Sequence, residues 1–304
     1  MAVVQANVAL LTERRYTASE AAEGDWYLAN ILRDDALLQA ALLARGLSST
    51  RVNWADPSVD WTQFQCAVFR TTWDYFDQRD VFCEWLDAVS KKTRLCNDVS
   101  LIHWNMDKHY LRDLEINEIP VIPSVFVEQG SQISLHDVLA DHGWNEAIIK
   151  PCISGGARHT YRLNRASIAT VEPVINALIA EESFLLQPFQ SSVLEDGEDT
   201  LMLFNGVVTH AVRKKPKAGD FRVQDDHGGS VETFTPTAAH IDLAERAMAA
   251  CHIAPHYGRV DMVRDNEGNL AVMELELIEP ELWLRNHPSA ATLFAGAIEA
   301  MIGQ

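Results

Sequence analysis

The chain reads as an α/β protein whose first unit carries a parallel sheet. Two observations predict this. Strands and helices alternate over residues 1 to 97, the pattern of parallel strands joined by helices. Further on, apolar runs sit either side of short polar turns, which is how antiparallel hairpins are written. At 304 residues and 47% hydrophobic, the chain can bury two or three sub-cores but is too compact for several independent domains.

In the first unit, Asn7-Val-Ala-Leu-Leu11 is a strand, and a helix runs from about Asp35 to Arg45, where Gly46 stops it. Cys66-Ala-Val-Phe69 is a second buried strand. Val81, Phe82, Trp85, Leu86 and Val89 mark one face of a further helix, a core stripe. Arg70-Thr-Thr-Trp-Asp74 follows the strand directly, and open α/β sheets bind ligands at strand carboxyl ends. Arg70 has the fork to grip a carboxylate with two bonds, the alternative being an ion pair with Asp74.

Ala147-Ile-Ile-Lys150 is a short apolar strand followed by the flexible turn Ile153-Ser-Gly-Gly-Ala157. Lys150 and the backbone of Ser154, Gly155 and Gly156 suit phosphate oxygens; otherwise Lys150 is only a snorkelling strand end. Neither Gly-x-Gly-x-x-Gly nor a P-loop occurs. Phe184-Leu-Leu-Gln-Pro-Phe189 stops at Pro188, which leaves backbone groups near Gln187 and Phe189 for the edge of an adenine. The acidic run Glu195-Asp-Gly-Glu-Asp199 offers ribose acceptors or is a solvated loop. Two apolar strands then flank Asn205-Gly206, a strong hairpin signal. They deliver Arg213, Lys214, Lys215 and Lys217, then Gly219-Asp-Phe-Arg222 and Gly228-Gly-Ser230. This basic cluster opposes a net charge of −18, which favours a local anion site. The stretch from Ala218 to Gly229 reads as a mobile lid.

Gly258 to Asp265, the turn Asn266-Glu-Gly-Asn269, and Leu270 to Leu277 form a last hairpin. Pairing Asp265 with Leu270 sets Asp261 opposite Glu274, with Glu276 on the same face. Like charges across a strand pair repel, so a divalent cation between them is the economical explanation, a solvated polar face the plain one.

In this order (lysine strand, glycine turn, hinge strand, Asn-Gly hairpin, Gly-Asp-Phe-Arg, Gly-Gly-Ser, Asp, Glu-x-Glu) the chain resembles the ATP-grasp superfamily of carboxylate–amine ligases over roughly residues 100 to 302. Arg70-Thr-Thr-Trp-Asp-Tyr75, Trp104-Asn-Met-Asp-Lys108, Gly219-Asp-Phe-Arg-Val223 and Leu277-Ile-Glu-Pro-Glu-Leu282 are similar to the branch that contains the D-cycloserine-forming O-ureido-D-serine cyclo-ligase. The resemblance implies an ATP-grasp fold: an N-terminal α/β domain (1–97), then subdomains 98–188 and 189–304 that clasp ATP. It implies Lys108 and Lys150 on the nucleotide phosphates, Gln187, Pro188 and Phe189 as hinge, Glu195 or Glu198 on ribose, and Mg²⁺ on Asp261, Glu274 and Glu276. Glu276 stands where that family usually has Asn. Lys150, Arg213 and Arg222 would balance the charge on the transferred group.

The implied reaction is ATP-dependent C–N bond formation through an acylphosphate on a small amino-acid-like substrate, by ring closure or between two molecules. A catalytically silent nucleotide-binding module is the other reading. The substrate pocket expected is Arg70, Thr72, Asp74, Arg259, Glu279 and Glu281, walled by Trp73 and Trp283.

Composition sets outer bounds. With no run of 18 apolar residues and no basic-then-apolar start, a soluble, cytoplasmic protein off the membrane is expected. Five cysteines without Cys-x-x-Cys point to a reducing compartment and no zinc site, and Pro255 separates His252 from His256. An isoelectric point near 4.9 argues against nucleic acid as partner. The oligomeric state stays open, a homodimer included.

Overall fold

The computed structural model describes residues 6–223 and 228–303. Its first sheet holds β1 (Ala6–Thr12), β2 (Leu47–Asn53), β3 (Cys66–Thr71) and β4 (Arg94–Cys96) in the order β2-β1-β3-β4, all parallel. It is flanked by α1 (Trp26–Ala44) and α2 (Arg79–Val89). The helix α1 starts nine residues before the expected Asp35, because the Asp25 carboxylate accepts the Leu28 N–H (3.0 Å) and nucleates the first turn there. β2 was not foreseen: Ser48, Ser49, Thr50 and Arg51 give it no apolar alternation, as suits an edge strand.

Two short helices, α3 (Val99–Asn105) and α4 (Tyr110–Ile116), lead to an antiparallel sheet of β5 (Val125–Val127), β6 (Glu146–Pro151), β7 (Tyr161–Asn164) and β8 (Phe184–Pro188) in the order β5-β8-β6-β7. Its apolar face packs on α5 (Leu135–Asp141) and α6 (Ile168–Ile179) through Leu139, Ile149, Ile175 and Phe184. After α7 (Ser192–Glu195) comes the third sheet: β9 (Glu198–Phe204), β10 (Val207–Lys215), β11 (Ser230–Thr233), β12 (Tyr257–Arg264) and β13 (Leu270–Glu276), antiparallel in the order β11-β10-β9-β12-β13. Asn205 and Gly206 both have positive φ (48° and 77°), as the two-residue β9–β10 turn requires. α8 (Ala238–Ala249) covers this sheet. α9 (Ala290–Ile302) returns to the first unit, where Phe294 stacks on Phe204 and lies in one core with Leu38, Val68 and Tyr257.

Side-chain amides and hydroxyls staple the sheets together. Asn97 Nδ2 donates to the carbonyls of Tyr257 (2.9 Å) and Leu277 (2.7 Å), while its Oδ1 accepts the His256 N–H (2.7 Å). β13 is an edge strand whose outward ladder groups are met by the backbone of Pro120 and Ile122 at Val272 and by side chains further on. Asn105 receives the Leu277 N–H (2.7 Å) and donates to the Leu275 carbonyl (2.8 Å), and Tyr110 Oη accepts the Leu275 N–H (2.9 Å). Among the described residues no helix is long and apolar enough to cross a membrane.

Candidate active site

The two antiparallel sheets and residues outside the parallel sheet of the first unit enclose a cavity of about 760 Å³ that opens to solvent. Its floor is the β12–β13 hairpin. Asp261 does face Glu274, and Arg259 faces Glu276, but by a different register from the one expected. Arg264, not Asp265, pairs with Leu270, and a bulge that leaves Met273 unpaired restores the frame. The one-residue error in the turn and the extra residue in the strand cancel.

Cations separate the three expected metal ligands. Glu274 is held by Lys108 Nζ (3.1 Å) from the α3–α4 turn and Lys150 Nζ (3.7 Å) from β6. Asp261, 2% exposed, is gripped by Arg259 Nη2 (2.8 Å) and Lys214 Nζ (3.0 Å). Arg259 also pairs with Glu276, and Lys214 with Glu198, so the guanidinium and the ammonium share Asp261 and together hold three carboxylates. Among the described residues, Asp261, Glu274 and Glu276 are not a set whose ligand atoms all lie within 4.8 Å of one another; Asp107, His109 and Cys152 are. The carboxyl groups separate electrostatically as well. Burial pushes Glu274 up, but Lys108 and Lys150 hold it down at about 2. At Glu276 burial wins over Arg259 and lifts the group to about 7, helped by Asp261 and Glu274. Burial likewise raises Glu279 well above the usual range.

Beside this floor lie the glycine turn and the hinge. Lys108 Nζ donates to the Ser154 carbonyl (2.8 Å), and Gly155 and Gly156 border the cavity. A Cβ on Gly155 would lie 2.7 Å from Phe76 Cε1, so this turn touches the first unit across the cavity mouth. Gln187, Pro188 and Phe189 also line the cavity, yet the backbone of Phe189 is not free as expected. Its N–H donates to the Glu146 carbonyl (3.0 Å) and its carbonyl accepts Asn266 Nδ2 (3.0 Å). The Arg162 guanidinium lies 3.8 Å over the Phe189 ring. Gln190, which sequence reasoning passed over, lines the same wall with a buried Oε1 that has no hydrogen-bond partner.

Several expected residues lie elsewhere. Arg70 is 4% exposed, bonds Asp35 (3.1 Å) and packs over Phe294, with its Nη1 buried and without a hydrogen-bond partner, and it does not pair with Asp74. β3 is buried along its whole length, and the chain after it turns inward: Thr72 is fully covered and Asp74 accepts Trp54 Nε1 (2.7 Å). None of the three borders the cavity, whereas their neighbour Trp73 does. Arg213 points to the other face of β10, where Asp199 accepts from its Nε and Nη2 (2.6 and 3.0 Å) and Phe234 takes its plane. Lys214 occupies the place expected of Arg213. Strand alternation from Asp261 through the β9 pairing would have found it. Glu195 is exposed on α7 outside the cavity, while Glu198 lies within it. Arg222 borders the cavity, bound to Asp220 (2.7 Å); of the expected lid, residues 224–227 lie outside the described residues. Arg259, Glu279 and Glu281 line the cavity as expected, Glu281 bonded to Arg285 (2.6 Å). Facing them from the first unit are Arg15 and the mutually packed rings of Tyr16, Tyr27 and Trp73.

Two antiparallel sheets closing on a lysine- and carboxylate-lined cavity, with a parallel α/β unit at its mouth, define the ATP-grasp ligase fold. A D-alanine–D-alanine ligase from Bacillus anthracis, crystallised with ATP, shares it at a TM-score of 0.66 and 13% identity over 98% of this chain and 96% of that one. Residues 8–97 match the N-terminal domain of the D-cycloserine synthetase DcsG. The cycloserine biosynthesis protein DcsG of Streptomyces lavendulae is 32% identical over 271 residues, 83% of this chain and 88% of that protein. The crystal structure of a D-cycloserine synthetase DcsG aligns with 97% of this chain and 99% of its own at a TM-score of 0.86 and 28% identity. The chain belongs to the DcsG family of ATP-grasp ligases.

Proposed function

We propose that the protein is an ATP-dependent carboxylate–amine ligase that closes a ring within one small amino-acid-like substrate of the O-ureido-serine type. The observation that carries this reading is the convergence of Lys108, Lys150 and Lys214 on the carboxylates of one cavity floor, beside a glycine turn. Three ammonium groups in a partly enclosed site balance the charge of a nucleotide triphosphate, and Arg222 from the lid side adds a fourth cation. Gln187 to Gln190 form the adenine wall, with the unpartnered Gln190 Oε1 as acceptor for an exocyclic amine. A substrate carboxylate oxygen would attack the terminal phosphorus and expel ADP; the substrate's own nitrogen would then attack the acyl carbon and expel phosphate.

The donor set fits Mg²⁺, which takes hard oxygen ligands and usually only one or two carboxylates beside phosphate. Glu274 and Glu276 would hold it, with Asp261 kept by Arg259 and Lys214 as their neighbour. When bound, the ion supplies charge neutralisation and alignment of phosphate oxygens. Arg15 and Glu281, walled by Tyr16, Tyr27 and Trp73, provide complementary charges for an amino acid's ionised groups, with the Glu279 carboxyl as a further hydrogen-bonding group.

The test is ADP release with a single O-ureido-serine-like substrate as the only addition to Mg-ATP. Ring closure predicts turnover under those conditions; an absolute need for a second amine substrate overturns it. Thermal protection by Mg-ATP without any turnover would leave only nucleotide binding. Glu274→Gln should lose about 2 to 3 kcal/mol of transition-state stabilisation, roughly 30- to 150-fold in kcat/KM.

A further inference from the structure

We infer that Asp107, His109 and Cys152 form a second metal site, suited to a thiophilic divalent cation of the zinc class, behind Lys108 and Lys150. Their ligand atoms all lie within 4.8 Å of one another. Donors around a tetrahedral zinc with bonds of about 2.0 to 2.3 Å stand roughly 3.3 to 3.8 Å apart, so closing the set needs only side-chain adjustment. One sulfur, one imidazole nitrogen and one carboxylate oxygen favour zinc over the hard-oxygen ions that suit the cavity floor.

The surroundings are those of a supported site. Asp107 and His109 flank Lys108 at the start of α4, and Cys152 directly follows β6. The Lys108 N–H donates to the Cys152 carbonyl (2.9 Å), which fixes the two segments against each other. The His109 ring stacks on Phe126 with centroids 4.4 Å apart. Its Nε2 meets Glu128 Oε1 (3.3 Å), and its Nδ1 turns toward Asp107 Oδ1 (2.6 Å). A carboxylate on the distal nitrogen of a histidine is the usual outer support of a metal-binding imidazole. Cys152 is 1% exposed, whereas Asp107 and His109 are half-buried, so an ion can arrive from solvent and retain water in the fourth position. Burial raises the Cys152 thiol above its usual range, so a metal must displace its proton and binding weakens as pH is lowered. The sequence expectation of no zinc site rested on the missing Cys-x-x-Cys. Here the ligands come from segments more than forty residues apart, joined only by the fold.

The experiment is titration of the chelator-treated full-length chain with Co²⁺, read by absorption. The expected result is one Co²⁺ per chain with a thiolate-to-cobalt charge-transfer band in the near ultraviolet. Stoichiometric Zn²⁺ should erase the band, and a large excess of Mg²⁺ should leave it. The band should vanish in Cys152→Ser and in His109→Gln, and persist in Cys83→Ser and Cys251→Ser. His109 is partly exposed, so His109→Gln decides the matter if Cys152→Ser does not fold. No band in the wild type, or a band that survives His109→Gln, overturns the proposal; Asp107 would then be only the residue that receives the His109 N–H (3.0 Å) at the start of α4. This readout needs no turnover, so it stands apart from the ligase assignment.

Discussion

Glu276 sits where burial and one guanidinium compete, and its proton is the test of that competition. Its carboxyl is lifted to about 7 from the ordinary 4.5, chiefly by burial. Between those values the folded protein holds a proton that the unfolded chain has released, so this group lowers stability as pH rises from about 4.5 to 7, by at most about 1.4 kcal/mol per pH unit. The unfolding free energy of wild type minus that of Glu276→Gln, taken from urea unfolding in chelator, should therefore become less positive or more negative as pH rises across that window. A difference independent of pH would show that Glu276 is not protonated there. At this scale the sequence was readable where alternation decides which way a side chain points within one strand, as for Glu274 and Glu276, while Asp261 met Glu274 because the register error and the bulge cancel. It was misleading about where a strand ends. Arg70 has the right chemistry for a carboxylate, but it lies within β3, which is buried along its whole length, and Asp35, a residue of α1, takes the guanidinium.

The glycine turn and the first unit meet at one contact, and that contact sets a prediction for both elements. Gly155 has room for no side chain beside Phe76, and Arg158 Nε approaches Asp77 (3.7 Å) just beyond. Gly155→Ala must displace either the Phe76 ring or the turn whose backbone borders the nucleotide cavity. The apparent KM for ATP should rise several-fold, and Phe76→Ala in the same chain should recover much of the loss because it removes the opposing ring. An unchanged KM in Gly155→Ala would mean that the turn does not approach the nucleotide. Glycines in the sequence announced a flexible turn, but nothing in it announced Phe76. That contact depends on how two units pack, which period and propensity do not encode. The last hairpin shows the same boundary at closer range: the strands were legible, while the bulge at Met273 was not, because bulges follow from packing.

Across the whole molecule, a few polar side chains hold separately written units in one arrangement. Asn105 is the clearest case, since it serves as a piece of missing strand for β13. Asn105→Ala leaves a buried N–H and a buried carbonyl unpaired at once, and should cost about 2 to 4 kcal/mol of stability in urea unfolding. A loss below about 0.5 kcal/mol would show that water replaces the amide without penalty. The order of units along the chain was legible because each carries its own pattern; the staples between them were not, since one asparagine looks like any other until its partners are placed.

That staple also bears on how the chain reaches its final form. The β12–β13 hairpin is local and can zip on its own, but Asn105 and its partners Leu275 and Leu277 are separated by 170 and 172 residues. Contacts of such long range form only after a large loop has closed, so the outer edge of β13 stays sticky until α3 docks. During synthesis α3 leaves the ribosome long before β13 exists. A freshly made hairpin therefore meets its cap already waiting, whereas a chain refolding from urea has no such head start and should lose more material to aggregation as its concentration rises.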